Sequence, residues 1–380
     1  MDAASVLQDL IRCRSVTPDE GGALKYLETK LTQLGFKSQT VTFSDDGTPD
    51  VSNLYARFGS GAPFLIFAGH TDVVPTGPEE RWRFPPFSGE ISDGVLYGRG
   101  AVDMKGGVAA FLAATADYLK ENPQPRGSIG FLITGDEEGP AINGTVKLLK
   151  WAKDKSEHFD HCVLGEPSGE KAAGDRIKIG ARGSFSATLT VTGKQGHVGY
   201  PEKANNPVPH LMRMLQAIST PLDQGNQWFP ASNLEITDLF VGNEASNVIP
   251  RAAQAKFNVR FCDDWTLQSL EQELRTRLEK SAEGIAYELQ IVKGNSEAFR
   301  TDAGDFLELV SKAVTTATGD VPKFHTAGGT SDARFIKKDC PVVEIGPAGT
   351  TLHQIDENIT LADLERTKKI YLEILRAYFA

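Results

Sequence analysis

The order of apolar runs predicts an α/β chain in two parts: a mostly parallel sheet flanked by helices, and a ferredoxin-like α+β module inserted into it. Short strand-length runs alternate with helical spacing in the first part. After Arg182 the order becomes β-α-β-β-α-β, and the α/β alternation then resumes. At 380 residues and 40% hydrophobic content the chain exceeds the usual size of one domain. The predicted catalytic domain comprises 1–182 and 294–380, with 183–293 as an inserted dimerisation or lid domain.

Each element has a local reason. Val6, Leu7, Leu10 and Ile11 recur at helical spacing. The apolar runs 64–67, 129–133 and 162–164 read as strands buried on both faces. Val108, Phe111, Leu112 and Leu119 mark a helix beginning near Lys105. Within the module the pattern gives a strand at 184–192, a helix at 206–218, strands at 233–240 and 253–261, a helix at 266–281 and a strand at 287–292. A strand at 342–345 and a helix over 361–378 complete the α/β part.

Composition narrows the function. The formal net charge is −10, with no basic run and no basic stripe interleaved with aromatics, which argues against nucleic acid and anionic membrane surfaces. No apolar run approaches the ~20 residues that span a bilayer. The first residues are acidic and helical in pattern, unlike a signal or transit sequence. Cys13, Cys162, Cys262 and Cys340 are far apart and form no CxxC pair, so they read as buried thiols of a cytoplasmic protein.

Five side chains of metal-ligand type, His70, Asp103, Glu138, Glu166 and His353, each follow a short apolar run. Two imidazoles and three carboxylates suit a pair of zinc-class ions with one carboxylate bridging. In an open α/β sheet such residues meet in the crevice beyond the carboxyl ends of the strands, so chain-distant positions converge. In GHTDVVP, His70 and Asp72 share one side of a strand end, where Asp72 can accept the second imidazole N–H; taken singly, the pair also fits a satisfied core histidine. Asp103 in GRGAVDMKGG either bridges two cations or caps the following helix. TGDEEG supplies adjacent Glu137 and Glu138, of which only one is needed as a ligand, leaving its neighbour to take a proton from water.

GHTDVVP, GRGAVDMKGG, TGDEEG, LGEPS and TLHQIDE occur here in the order found in the dinuclear zinc amidohydrolases, and the chain resembles that family, which includes aminoacylases, carboxypeptidase G and acetylornithine deacetylase. GDEEGPAINGTVK, GARGSFSATLTVTGKQGHVGYPEKANNPV, DQGNQWFPASNLEIT, ASNVIP, FNVRF and AGGTSDARFI narrow the resemblance to its bacterial members that hydrolyse N-succinyl-LL-2,6-diaminopimelate. The resemblance implies two zinc ions per subunit, with cobalt able to take one place. His70 and Glu166 would hold one ion, Glu138 and His353 the other, and Asp103 would bridge. It implies that Asp72 orients His70, that Glu137 is the general base, and that the Asp103–Met104 peptide is cis.

It further implies a homodimer through the insert, in which His197, with Tyr200 and Asn247, reaches the partner's site and His197 stabilises the oxyanion. Substrate carboxylates call for guanidinium forks, and Arg182 and Arg260 are the candidates, with Gly329, Thr330 and Ser331 as added donors. Gly349 departs from the pattern, standing where an Asn is expected, which affects one polar substrate contact. The competing readings are deacylation of acetylornithine or another N-acyl amino acid, and a metal-dependent amino-acid or peptide-binding protein. The latter would be expected to lack the base or a ligand, yet all are present.

Overall fold

A computed structural model describes residues 1–45, 47–302 and 304–380. The chain divides into two compact units. The larger comprises Met1–Gly180, Thr301–His325 and Ser331–Ala380, and the smaller Ala181–Arg300 with Thr326–Thr330.

The larger unit is built on an eight-stranded sheet in the order Lys37–Asp45, Thr48–Gly59, Ser128–Thr134, Phe64–His70, His161–Leu164, Val342–Glu344, Arg176–Lys178, Lys323–His325. Phe64–His70 and Ser128–Thr134 are buried along their whole length, as strands covered on both faces are. They run parallel with His70 opposite Thr134. His161–Leu164 and then Val342–Glu344 continue the parallel run on the other side. The carboxyl ends of these central strands therefore lie together.

The sheet is mixed at its margin. Lys37–Asp45 pairs antiparallel with Thr48–Gly59, which pairs antiparallel with Ser128–Thr134. The sequence KSQTVTFSD has no apolar run, and that strand is largely exposed, so it carries no buried-strand signal.

Helix Lys105–Glu121 packs against Ala3–Arg12 and Leu361–Tyr378. Its Phe111 stacks on Phe67 with ring centroids 4.3 Å apart, and Phe131 and Tyr371 approach it edge-on. Gly107 lets this helix approach the sheet closely, because a methyl group there would lie 2.2 Å from the carbonyl oxygen of Gly165. The main chain beside Glu166 is thus seated directly on the helix.

The smaller unit has a four-stranded antiparallel sheet in the order Asn233–Phe240, Ala252–Phe261, Gly183–Thr192, Ala286–Ile291. With its helices Pro207–Ile218 and Leu267–Ala282 the chain order is β-α-β-β-α-β. Alternate residues Phe185, Ala187, Leu189 and Val191 are buried with Leu211, Met214, Leu270 and Leu274 of the helices. Asn206 caps the first helix with Pro207 behind it, and Thr266 with Ser269 forms a capping box for the second. Asn233–Phe240 is an edge strand that leaves Ile236, Leu239 and Phe240 exposed.

Candidate active site

The predicted ligands of the larger unit meet at the carboxyl ends of its parallel strands. His70 ends Phe64–His70, Glu137 and Glu138 follow Ser128–Thr134, and Glu166 follows His161–Leu164. Asp103 precedes helix Lys105–Glu121. Met104 holds the N-cap position, so Asp103 is not the capping residue. The Asp103–Met104 peptide is cis.

Asp103 faces both imidazoles. Its Oδ1 lies 3.2 Å from His70 Nε2, and its Oδ2 lies 3.2 Å from His353 Nε2. A second carboxylate approaches the same nitrogen of each ring: Glu166 Oε1 is 3.6 Å from His70 Nε2, and Glu138 Oε1 is 2.9 Å from His353 Nε2. His70 is buried, whereas the His353 side chain is half exposed and its backbone has φ +57°.

The His70 ring is oriented differently from the expectation. Its Nδ1 lies 2.9 Å from the main-chain carbonyl of Asp72, with the Asp72 carboxylate further off at 3.6 Å. That carboxylate instead accepts from the N–H groups of Glu137 and Glu138, at 3.3 and 3.0 Å. A strand end turns the carbonyl toward the ring, and the side chain becomes the clamp on the acidic pair.

Burial pushes Glu137 up to about 8; His70 opposes this, while Asp332, Glu138 and Asp103 add to it. Burial likewise pushes Glu166 up, and Asp103 adds to it. Burial also acts upward on Asp103, but the hydrogen bonds from His353 and His70 outweigh it and hold this carboxyl below the usual range. Carboxylates that oppose one another's ionisation in a buried cluster are relieved by divalent cations. His70, Glu137 and Glu166, and also His70, Asp103 and Glu138, bring one ligand atom each within 4.8 Å of one another. Nitrogen and carboxylate donors converging in this way fit zinc-class ions.

In the smaller unit, His197, Tyr200 and Asn247 are brought together. Gly196–His197 pairs with Val248–Ile249, Val198 N–H donates to the Asn247 carbonyl, and the His197 and Tyr200 rings are 5.7 Å apart. His197 Nδ1 accepts from Gly199 N–H at 3.0 Å. Arg260 donates to the Thr330 hydroxyl at 3.2 Å, and Arg182 to Asn233 Oδ1 at 2.8 Å. At Gly349 an added Cβ would lie 2.8 Å from Leu352 Cδ1, so a side chain there requires Leu352 to shift.

Ser331 departs from its expected role as a substrate donor. It is buried and donates its hydroxyl proton to Glu344 Oε1 at 2.7 Å, while Lys178 Nζ pairs with Glu344 Oε2 at 2.8 Å. Neither Lys178 nor Glu344 stood out in the sequence, since nothing local joins residues so far apart. Glu357 was also missed; it is fully buried beneath the Asp103 turn, and its only signal was its place just after His353.

A nitrogen-and-carboxylate cradle beside a further buried carboxylate is the equipment of metal-dependent hydrolases. The chain belongs to the peptidase family M20/M25/M40, whose sequence profile matches residues 66–377. It is 54% identical over 378 residues to succinyl-diaminopimelate desuccinylase of Beijerinckia indica subsp. indica, covering 99% of both chains. To the protein of that name from Methylorubrum populi it is 56% identical over 374 residues, covering 98% of this chain and 97% of that one. In fold it is similar to an M20 family metallo-carboxypeptidase from Sulfolobus solfataricus, with TM-score 0.77 at 19% identity over 100% of this chain and 99% of that one.

Proposed function

We propose that this chain hydrolyses the amide bond of N-succinyl-LL-2,6-diaminopimelate to succinate and LL-2,6-diaminopimelate, a step of diaminopimelate and lysine biosynthesis in the bacterial cytoplasm. The end-to-end similarity carries this reading: relatives 54% and 56% identical bear the name of that activity. Four unpaired cysteines suit a reducing compartment.

His70 and Glu166 would hold one divalent ion, His353 and Glu138 the other, and Asp103 would bridge them, with zinc expected and cobalt able to take one place. Bound there, the ions supply Lewis acidity toward water and the scissile carbonyl. Glu137 takes the proton of the attacking water and returns it to the leaving amine nitrogen. Asp72 keeps Glu137 and Glu138 in place through their N–H groups.

Because His197 Nδ1 accepts from Gly199 N–H, the neutral ring carries its proton on Nε2, directed to an oxyanion. It serves the partner's site in a homodimer formed through the inserted domain 183–293, with Tyr200 and Asn247 beside it. The exposed Ile236, Leu239 and Phe240 on an edge strand support an association surface in this module. Arg182 and Arg260 meet substrate carboxylates, and Gly329 and Thr330 add donors from their loop.

The test is succinate release from succinyl-diaminopimelate measured beside acetate release from acetylornithine, with and without chelator. Preferential, chelator-sensitive succinate release is expected. Equal or greater turnover of acetylornithine overturns the substrate assignment.

A further inference from the structure

Glu357 lies on the segment that carries His353, yet its side chain is spent on a different ligand. Its Oε2 accepts from Arg99 Nη1 at 2.8 Å and Gly100 N–H at 2.9 Å, and its Oε1 accepts from Val102 N–H at 2.9 Å and Asp103 N–H at 3.1 Å. All four donors converge on one fully buried carboxylate. The contact is reinforced on both sides: Gly98 N–H donates to the Glu357 carbonyl, Arg99 to the Gln354 carbonyl, and Asn358–Thr360 pairs with Val95–Tyr97.

We propose that Glu357 is a positioning residue that fixes Asp103 and His353 relative to each other, and so governs uptake of the ion on the His353 side. The proposal rests on the metal assignment made above. The two metal positions are supported unequally. His70 and Glu166 extend from adjacent parallel strands held in register, with Ala68 opposite Leu164. His353 stands half exposed in a loop, and apart from its own contact with Asp103 Oδ2 it is tied to the Asp103 turn by the grip of the 354–358 segment on residues 97–103. Loosening that grip displaces two of the three groups around one ion but only the shared one around the other.

The chemistry demands a carboxylate. Both oxygens face donors only, so the amide nitrogen of a glutamine would be set against N–H groups and leave them without an acceptor.

The test uses the full chain freed of metal by chelator and titrated with cobalt(II), followed by calorimetry and by the visible absorption of the bound ion. Wild type is expected to take up two equivalents. In Glu357→Gln one step should weaken by ~10–100-fold, the usual cost of losing an outer hydrogen bond to a ligand, with the other step changed far less. Glu357→Asp, which keeps both acceptors on a shorter stem, should recover part of that loss, and it carries the test if the glutamine variant does not fold. A purely structural role would lower the unfolding midpoint and leave the affinities of the folded chain alone. A folded variant that keeps both affinities, or loses them equally, overturns the proposal. Wild type binding fewer than two ions overturns the metal assignment itself.

Discussion

In the larger unit most functional groups are enclosed and held from several sides, the half-exposed His353 excepted: His70 is 1% exposed, Asp72 is fully buried, and main-chain N–H or C=O groups fix both. In the smaller unit they stand open. Tyr200 is 57% exposed, and His197 and Asn247 lie on the surface of the Gly196–His197 turn and its neighbour. A metal cradle has to exist before its ions arrive, so its geometry is set by packing and hydrogen bonds. Groups that meet a substrate or a partner subunit have to remain accessible, and little inside their own unit constrains them. Substitution of the hydrogen-bonded groups that frame the cradle should therefore disturb structure as well as chemistry, and substitution in the second region should disturb chemistry alone.

Glu137 is the sharpest test, because it sits in the buried region without an essential role in folding. Glu137→Ala should keep the fold and both ions and lose ~10²–10⁴ in turnover, the usual worth of a general base. Metal analysis of the purified variant checks this. Loss of an ion would make Glu137 a ligand, the alternative its proximity to His70 and Glu166 allows.

His197→Ala should cost ~10²–10³ in kcat, as removal of an oxyanion donor does, with an unchanged unfolding curve. Mixing it with Glu137→Ala subunits and allowing exchange tests its action across the dimer. Half the dimers should be mixed, each with one complete site, restoring roughly a quarter of wild-type activity by two-fold symmetry. Verified exchange without recovery would confine His197 to its own subunit.

For Arg260→Lys a fall of roughly tenfold or more in kcat/KM is expected, the worth of a charge-assisted hydrogen bond that a point charge cannot replace. Unchanged steady-state kinetics in a folded variant would remove Arg260 from the site.

The smallest effects compare two glycines. Gly107→Ala sets a methyl 2.2 Å from the Gly165 oxygen and should cost ~1–3 kcal/mol in urea unfolding. Gly329→Ala, with nothing within 4 Å of the added carbon, should stay within ~0.5 kcal/mol. Equal costs would erase the contrast.

The same contrast explains what could be read from the sequence. Strands such as Phe64–His70 and Ser128–Thr134 announce themselves because burial on both faces demands unbroken apolar runs. The alternation in Gly183–Thr192 is equally plain because only one face is covered. The hairpin Lys37–Asp45 with Thr48–Gly59 was illegible because its first strand is polar and exposed. Glu90–Ser92, Val95–Tyr97 and Asn358–Thr360 are three residues each, too short for a period to show, and the last pairs with a strand far away in the chain. The five candidate ligands and Glu137 carry recognisable chemistry in short motifs. Glu357 closes the TLHQIDE motif, but its partners, like those of Lys178 and Glu344, are set by the fold alone.

The locking of the Asp103 turn by Glu357 also bears on the birth of the protein. A chain emerging from the ribosome releases His70, Asp103, Glu138 and Glu166 well before residue 357, and until then the N–H groups of Gly100, Val102 and Asp103 lack the acceptor that shapes their turn. If Glu357 positions Asp103 as proposed, metal capture belongs to the completed polypeptide rather than to the nascent one. On the proposed metal assignment, prematurely terminated products would hold most of the candidate ligands and still compete poorly for a divalent ion, so a scarce ion is kept for molecules able to use it.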